Sequence, residues 1–147
     1  MRFTPHVTVA TVVEDHGRFL FVEEMAENRV VFNQPAGHLE ADESLIQAAH
    51  RETLEETGWE IELTGVIGIY LYTAPANGIT YQRVCFAARP VRAIPGRHLD
   101  AGIIAPHWLT RDEIGARTEQ LRSGLVLRCV DDYLRGPVFP LALIRAP

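Results

Sequence analysis

Glu52, Glu55 and Glu56 stand at i, i+3 and i+4, a spacing that gathers three carboxylates on adjacent rows of one helix. At ~100° per residue, Glu52 and Glu56 fall about 20° either side of Leu45, and Glu55 about 80° away, near Ala48. The acids therefore continue an apolar stripe instead of opposing it. A solvated acidic face, the ordinary meaning of Glu-x-x-Glu-Glu, would lie opposite Leu45, Ala48 and Ala49. Two carboxylates ~5 Å apart at an effective dielectric near ~20 repel by roughly 3 kcal/mol, a cost that a hard divalent cation removes. Mg²⁺ takes oxygen ligands and commonly bridges one or two carboxylates to phosphate oxygens. Arg51, four residues before Glu55, either orients a carboxylate or meets phosphate, or else forms an exposed pair contributing well under ~1 kcal/mol.

The elements that must hold these residues are readable on either side. Residues 6–13 are β-branched and partly alternating, and Gly17 marks a turn into residues 18–23, which together predict a β-hairpin. Residues 30–32 predict a third strand, stopped by a loop over residues 33–37 in which Pro35 and Gly37 oppose both ladder and helix. A helix is expected at about residues 43–57, ending at Gly58 as its C′ glycine. Two further strands, 62–72 and 81–90, flank a turn containing Asn77-Gly78. A short strand at 105–109 precedes a capping box, Thr110 to Glu113, and a last amphipathic helix spans 123–134 before Gly136-Pro137. This order predicts an α+β fold with a mixed β-sheet between helices.

From Gly37 to Trp59 the chain resembles the Nudix box, Gly-x₅-Glu-x₇-Arg-Glu-hydrophobic-x-Glu-Glu-x-Gly-hydrophobic. It matches at Gly37, Glu43, Arg51, Glu52, Glu55, Glu56 and Gly58. Thr53 stands where the box has an aliphatic residue, and Trp59 is bulkier than usual. Residues 6–10, 21–24, 33–43 and 121–123 also resemble the NudJ-type phosphatase branch, which has Trp at Phe32 and Pro at Gly124. The resemblance implies a Nudix-type α/β/α sandwich and a Mg²⁺-dependent hydrolase, with Mn²⁺ as a possible substitute. By it, Glu52, Glu55 and Glu56 bind the metal, and Gly37 adds a backbone carbonyl. Glu43 and Arg51 support the centre, and Glu55 or Glu56 is the general base. Phe32, Gln34 and His38 are the expected substrate contacts. Branch members remove phosphate from nucleoside tri- and diphosphates and from the pyrimidine diphosphate precursor of thiamine. The alternative reading is a nucleotide-sensing module that retained the fold without activity; the intact set Glu43, Glu52, Glu55 and Glu56 favours the enzyme.

Other residues hold secondary expectations. Asp100 is a candidate further carboxylate, set against the plainer reading of a solvated loop aspartate. Of Glu23 and Glu24, strand alternation allows only one to face the site. Phe32, Tyr70, Tyr72, Tyr81 and Trp108 offer stacking surfaces, although such residues are more often simply core. The final helix could instead present Leu125, Val126, Cys129, Val130 and Tyr133 to a partner protein, although such a stripe usually covers its own core.

At 147 residues, 47% hydrophobic and 22% charged, the chain is expected to form one domain over residues 1–147. It shows neither a membrane span nor a secretory signal, so a cytoplasmic location is expected. Cys85 and Cys129 lack the spacing of a zinc site and read as core. A net charge of −5 argues against nucleic acid as partner and for a small nucleotide-like di- or triphosphate met through a cation. Oligomeric state is left open.

Overall fold

The computed structural model describes residues 1–146. The β-branched run after Pro5 forms β1 (His6–Asp15), and His16-Gly17 reverses it into β2 (Arg18–Ala26). Both corner residues have positive φ, 50° and 81°, the turn geometry that suits strand twist. The hairpin is shorter than expected. Only Glu14 and Asp15 pair with β2, whereas residues 6–13 of β1 run parallel to residues 81–88. β3 (Arg29–Asn33) pairs antiparallel with β2.

The expected loop over residues 33–37 is a loop only in part. Ala36–His38 form a short strand, β4, paired antiparallel with β1 at Ala10, Val9 and Thr8. Pro35 removes a donor but not an acceptor, and its carbonyl takes the Thr11 N–H at 3.0 Å, so the chain rejoins a ladder directly after it.

α1 (Leu45–Thr57) begins later than the expected residue 43, because Ser44 is the N-cap. Its hydroxyl accepts from Gln47 N at 3.0 Å, and the Gln47 side chain accepts from Ser44 N at 2.9 Å. Gly58, at φ 75°, closes the helix by donating to Leu54 O. β5 (Trp59–Thr73) and β6 (Thr80–Ala93) form a long hairpin around the Asn77-Gly78 turn, each extending beyond its expected limits. β7 (Ile103–Thr110) returns to pair with β2. The Thr110–Glu113 capping box opens α2 (Arg111–Gly115), and Ser123 caps α3 (Gly124–Arg135).

The result is a mixed seven-stranded sheet with β3, β2, β1, β6 and β5 in that order, β4 also pairing with β1 and β7 with β2. Alternation along β1 sends Val9 and Val13 to one face, against Ala48 and Ala49 of α1. Ala10 and Val12 face the other side, where α2 and α3 place Ile114, Val126, Cys129 and Val130. Helices thus cover both faces, the expected sandwich. Val126, Cys129 and Val130 are fully buried, so the stripe of α3 covers its own core and is not a free docking face. Among the described residues no helix is long and apolar enough to cross a membrane.

Candidate active site

The face of α1 that meets the sheet runs through Ala48, Ala49, Thr53 and Thr57, all buried. Thr53 is the residue that departs from the aliphatic box position. Its hydroxyl donates to Ala49 O and meets the Thr11 hydroxyl at 2.8 Å, so the helix is keyed to β1 by a polar pair inside the core. One step round the helix from this face, Glu52 and Glu56 are half-buried, as their angles to Leu45 required.

Oxygens of Glu52, Glu55 and Asp100 lie within 4.8 Å of one another. Asp100 reaches them from the β6–β7 loop, whose backbone is tied to the helix: Asp100 N donates to Glu55 O at 3.0 Å. Glu52 also packs against the backbone of β4, and a Cβ on Gly37 would collide with its carboxylate. A side chain at residue 37 could be admitted only by displacing the Glu52 carboxylate from this position. Burial, with Glu55 and Asp100 adding, raises the Glu52 carboxyl above its ordinary range against the opposing Arg51 charge. An array of three hard oxygen donors, cradled by a bare backbone, fits a divalent cation.

Glu56 takes a different position. Its carboxylate accepts from Ala36 N at 2.9 Å, and burial, reinforced by the charges of Glu24, Glu52 and Asp100, pushes its carboxyl up to about 9. Without a cation it therefore holds a proton at neutral pH. Arg51 organises the other side. It donates to Glu43 at 3.0 Å, Glu52 at 2.9 Å, Glu55 at 3.1 Å and His38 O at 3.0 Å. The Arg51 bond holds Glu43 below its usual range. Arg51 is thus oriented inward and is not an exposed helix pair.

A cleft of about 430 Å³ lies alongside, sharing the β4 wall. Val31, Asn33, His38, Tyr72, Tyr81 and Arg83 line it, and Arg122 overhangs it from the segment before α3. Arg122 is steered by a 2.6 Å bond to Glu24, so β2 turns Glu24 inward and Glu23 toward His107. A smaller hollow beside His50 and Leu54 contains none of the clustered carboxylates.

His38 is the expected substrate contact that the structure brings to the cleft, where it stacks edge-on with His6 and Tyr81. Gln34 does not reach it. That side chain is fully buried, donating to Val126 O and accepting from Arg83 at 3.1 Å, so it braces the cleft floor from beneath. Phe32 points away, against His107 and Arg117, because β3 alternates and its neighbours Val31 and Asn33 take the cleft side. Tyr72 and Tyr81 face each other across β5 and β6 on the cleft wall, whereas Tyr70 bonds Asp132 and Trp108 packs on Trp59.

The NUDIX domain family model matches residues 2–128, most of the chain. The chain belongs to the NUDIX family. It is a Nudix hydrolase by the relatives that surround it. Phosphatase NudJ of Escherichia coli K12 is 40% identical over 142 residues, covering 97% of this chain and 92% of that protein. Phosphatase NudJ of Shigella sonnei matches equally well. A NUDIX hydrolase from Nitrosomonas europaea superposes with a TM-score of 0.95 at 43% identity, covering 98% of both chains. A MutT NUDIX hydrolase from Burkholderia pseudomallei, at 19% identity and a TM-score of 0.74 over 88% of this chain and 98% of that one, shares the fold. Nudix hydrolases depend on divalent metals, and the acidic group of this Nudix protein is of the kind that binds one.

The box pattern does not cover Arg83, Arg122 and Asn33, which lie outside residues 37–59. The signal for Arg83 was partial: it opens the apolar run 84–88 and shares the parity of Cys85, but Arg89 has the same parity and is exposed. Arg122 and Glu24 become partners only through tertiary structure, 98 residues apart.

Proposed function

We propose that this Nudix hydrolase carries out Mg²⁺-dependent hydrolysis of a phosphoanhydride bond in a nucleoside tri- or diphosphate, or in a thiamine-pyrimidine diphosphate, with the whole chain acting as one catalytic domain. The observation that carries the reading is the convergence of Glu52, Glu55 and Asp100 beside the cleft that His38 and Arg122 line. Glu52, Glu55 and Asp100 would hold the ion, with Glu56 close by and the Gly37 carbonyl available on the bare strand. Bound there, Mg²⁺ would offset phosphate charge and lower the pKa of water. Arg51 fixes the carboxylates of Glu43, Glu52 and Glu55 in place. Glu56, held by Ala36 N, is the group placed to take a proton once the local negative charge is neutralised; Glu55 is the other candidate for that role. Arg122 and His38 meet the substrate phosphates from the cleft side. The name of the NudJ relatives, phosphatase, supports orthophosphate as product.

The test is phosphate release from a panel of nucleoside tri- and diphosphates and the pyrimidine diphosphate. Turnover should require Mg²⁺ or Mn²⁺, stop in EDTA, and give orthophosphate first from a triphosphate. Undiminished turnover in excess EDTA overturns the mechanism, and pyrophosphate as first product overturns the branch reading alone.

A further inference from the structure

Arg83 is a cation with almost no access to water. It is 8% exposed, sits on the cleft wall, and has no carboxylate at ion-pair distance among the described residues. A buried guanidinium without a carboxylate partner is expensive to maintain, and such a group commonly awaits a ligand. Its partners account for one end only. Nη1 donates to the Gln34 side chain at 3.1 Å and to Cys129 Sγ at 3.8 Å. Nε and Nη2 have no side-chain hydrogen-bond partner within the described residues, and Arg83 lines the cleft. Gln34 is itself locked to α3, so the Nη1 end of the guanidinium is fixed and its Nε/Nη2 edge is left as a free fork.

A fork of two parallel N–H groups suits two adjacent acceptors. Asn33, on the same wall and 6% exposed, leaves its Oδ1 with no partner and so calls for a donor. The cross-strand pair Tyr72 and Tyr81 supplies a flat apolar flank. Guanine presents N7, O6 and N1–H in that order, and cytosine presents O2, N3 and the N4 amine: acceptor, acceptor, donor in both. Adenine and uracil do not offer two adjacent acceptors on an edge. A phosphate group could also occupy the fork. The position favours the ring, since Arg122 and His38 already supply cations and donors along the wall shared with the carboxylates.

We propose that Arg83, with Asn33, forms a base-reading subsite that selects substrates whose heterocycle carries two adjacent acceptors, guanine or cytosine, over adenine and uracil. This rests on the hydrolase reading above. The first measurement uses the unaltered protein in Mg²⁺: KM for GTP against 7-deaza-GTP, which lacks the N7 acceptor, with ATP and inorganic tripolyphosphate alongside. KM should rise about tenfold for 7-deaza-GTP, with kcat little changed, the loss of one limb of a bidentate pair. In Arg83→Lys the two guanine nucleotides should become equivalent, while turnover of tripolyphosphate stays within about twofold of wild type. Equal KM for GTP and 7-deaza-GTP in the unaltered protein overturns the proposal even if no Arg83 variant folds. A matching loss on tripolyphosphate and GTP in Arg83→Lys would assign the fork to phosphate instead and also overturn it. Failure of wild type to hydrolyse any of these compounds in Mg²⁺ is a failure of the hydrolase reading, and is distinguishable because it precedes any comparison among bases.

Discussion

Glu56 shows how far a single residue can be read from its neighbours. Its place beside the apolar stripe was legible from spacing, but its bond to Ala36 N was not, because that donor lies on a strand the sequence disguised as loop. The raised carboxyl has a definite consequence for stability. Below its ordinary value of 4.5 the group is protonated folded or unfolded; between 4.5 and about 9 only the folded chain keeps the proton. Stability in EDTA therefore carries a Glu56 contribution that is whole at acid pH and lost as pH rises through that window. Glu56→Gln keeps an acceptor for Ala36 N and removes the titration. Turnover should fall by roughly 100-fold or more, while metal-free thermal stability is unchanged or higher, increasingly so toward pH 9. Subtracting the variant's melting curve from that of wild type across pH isolates Glu56 from Cys129 and His38, whose depressed values act with the opposite sign. A variant strongly destabilised in EDTA at pH 7 would mark Glu56 as structural.

At the scale of elements, α1 is the part that sequence described best. Its C-terminus and its inward carboxylates follow from periodicity and spacing, the role of Arg51 was left open between orienting a carboxylate and an exposed pair, and the N-cap was displaced from residues 42–43 to Ser44. The threonine that breaks the box pattern was legible as a departure but not as an explanation, since Thr11 lies 42 residues away. That pair now yields a test. Thr53→Val restores the usual box residue, yet it strands the Thr11 hydroxyl in the core and should cost about 1–3 kcal/mol, read from denaturant midpoints. Adding Thr11→Val should recover much of the loss. If Thr53→Val alone stabilises the protein, the polar pair is not what keys α1 to β1. The cleft was the least legible feature: Phe32 was expected inside and faces out, because a single residue of strand parity decides it, and Gln34 was expected at its surface and lies beneath it, held by Val126 and Arg83 from distant parts of the chain.

For the whole molecule, the order of elements was sufficient for the sandwich but not for its connections. The early hairpin was expected to pair throughout; instead β1 gives two residues to β2 and the rest to β4 and β6, choices made by strands 20 to 80 residues downstream. A cation bound by Glu52, Glu55 and Asp100 would join α1 to the β6–β7 loop, so it should stabilise the native chain alone. Mg²⁺ at ~100 times its dissociation constant should add about 2.7 kcal/mol, and a Gly37→Ala chain, whose new methyl displaces Glu52, should show little of that gain. An unaltered response in Gly37→Ala would argue that the ion sits elsewhere. The tie between Asp100 N and Glu55 O gives the same loop another property. That amide can trade its hydrogen for deuterium only while the loop is lifted from α1, and in those moments the third carboxylate has left the other two. Its exchange rate therefore measures the fraction of time the centre spends dismantled, and Mg²⁺ should slow it selectively, leaving amides of the β5–β6 turn at their own pace.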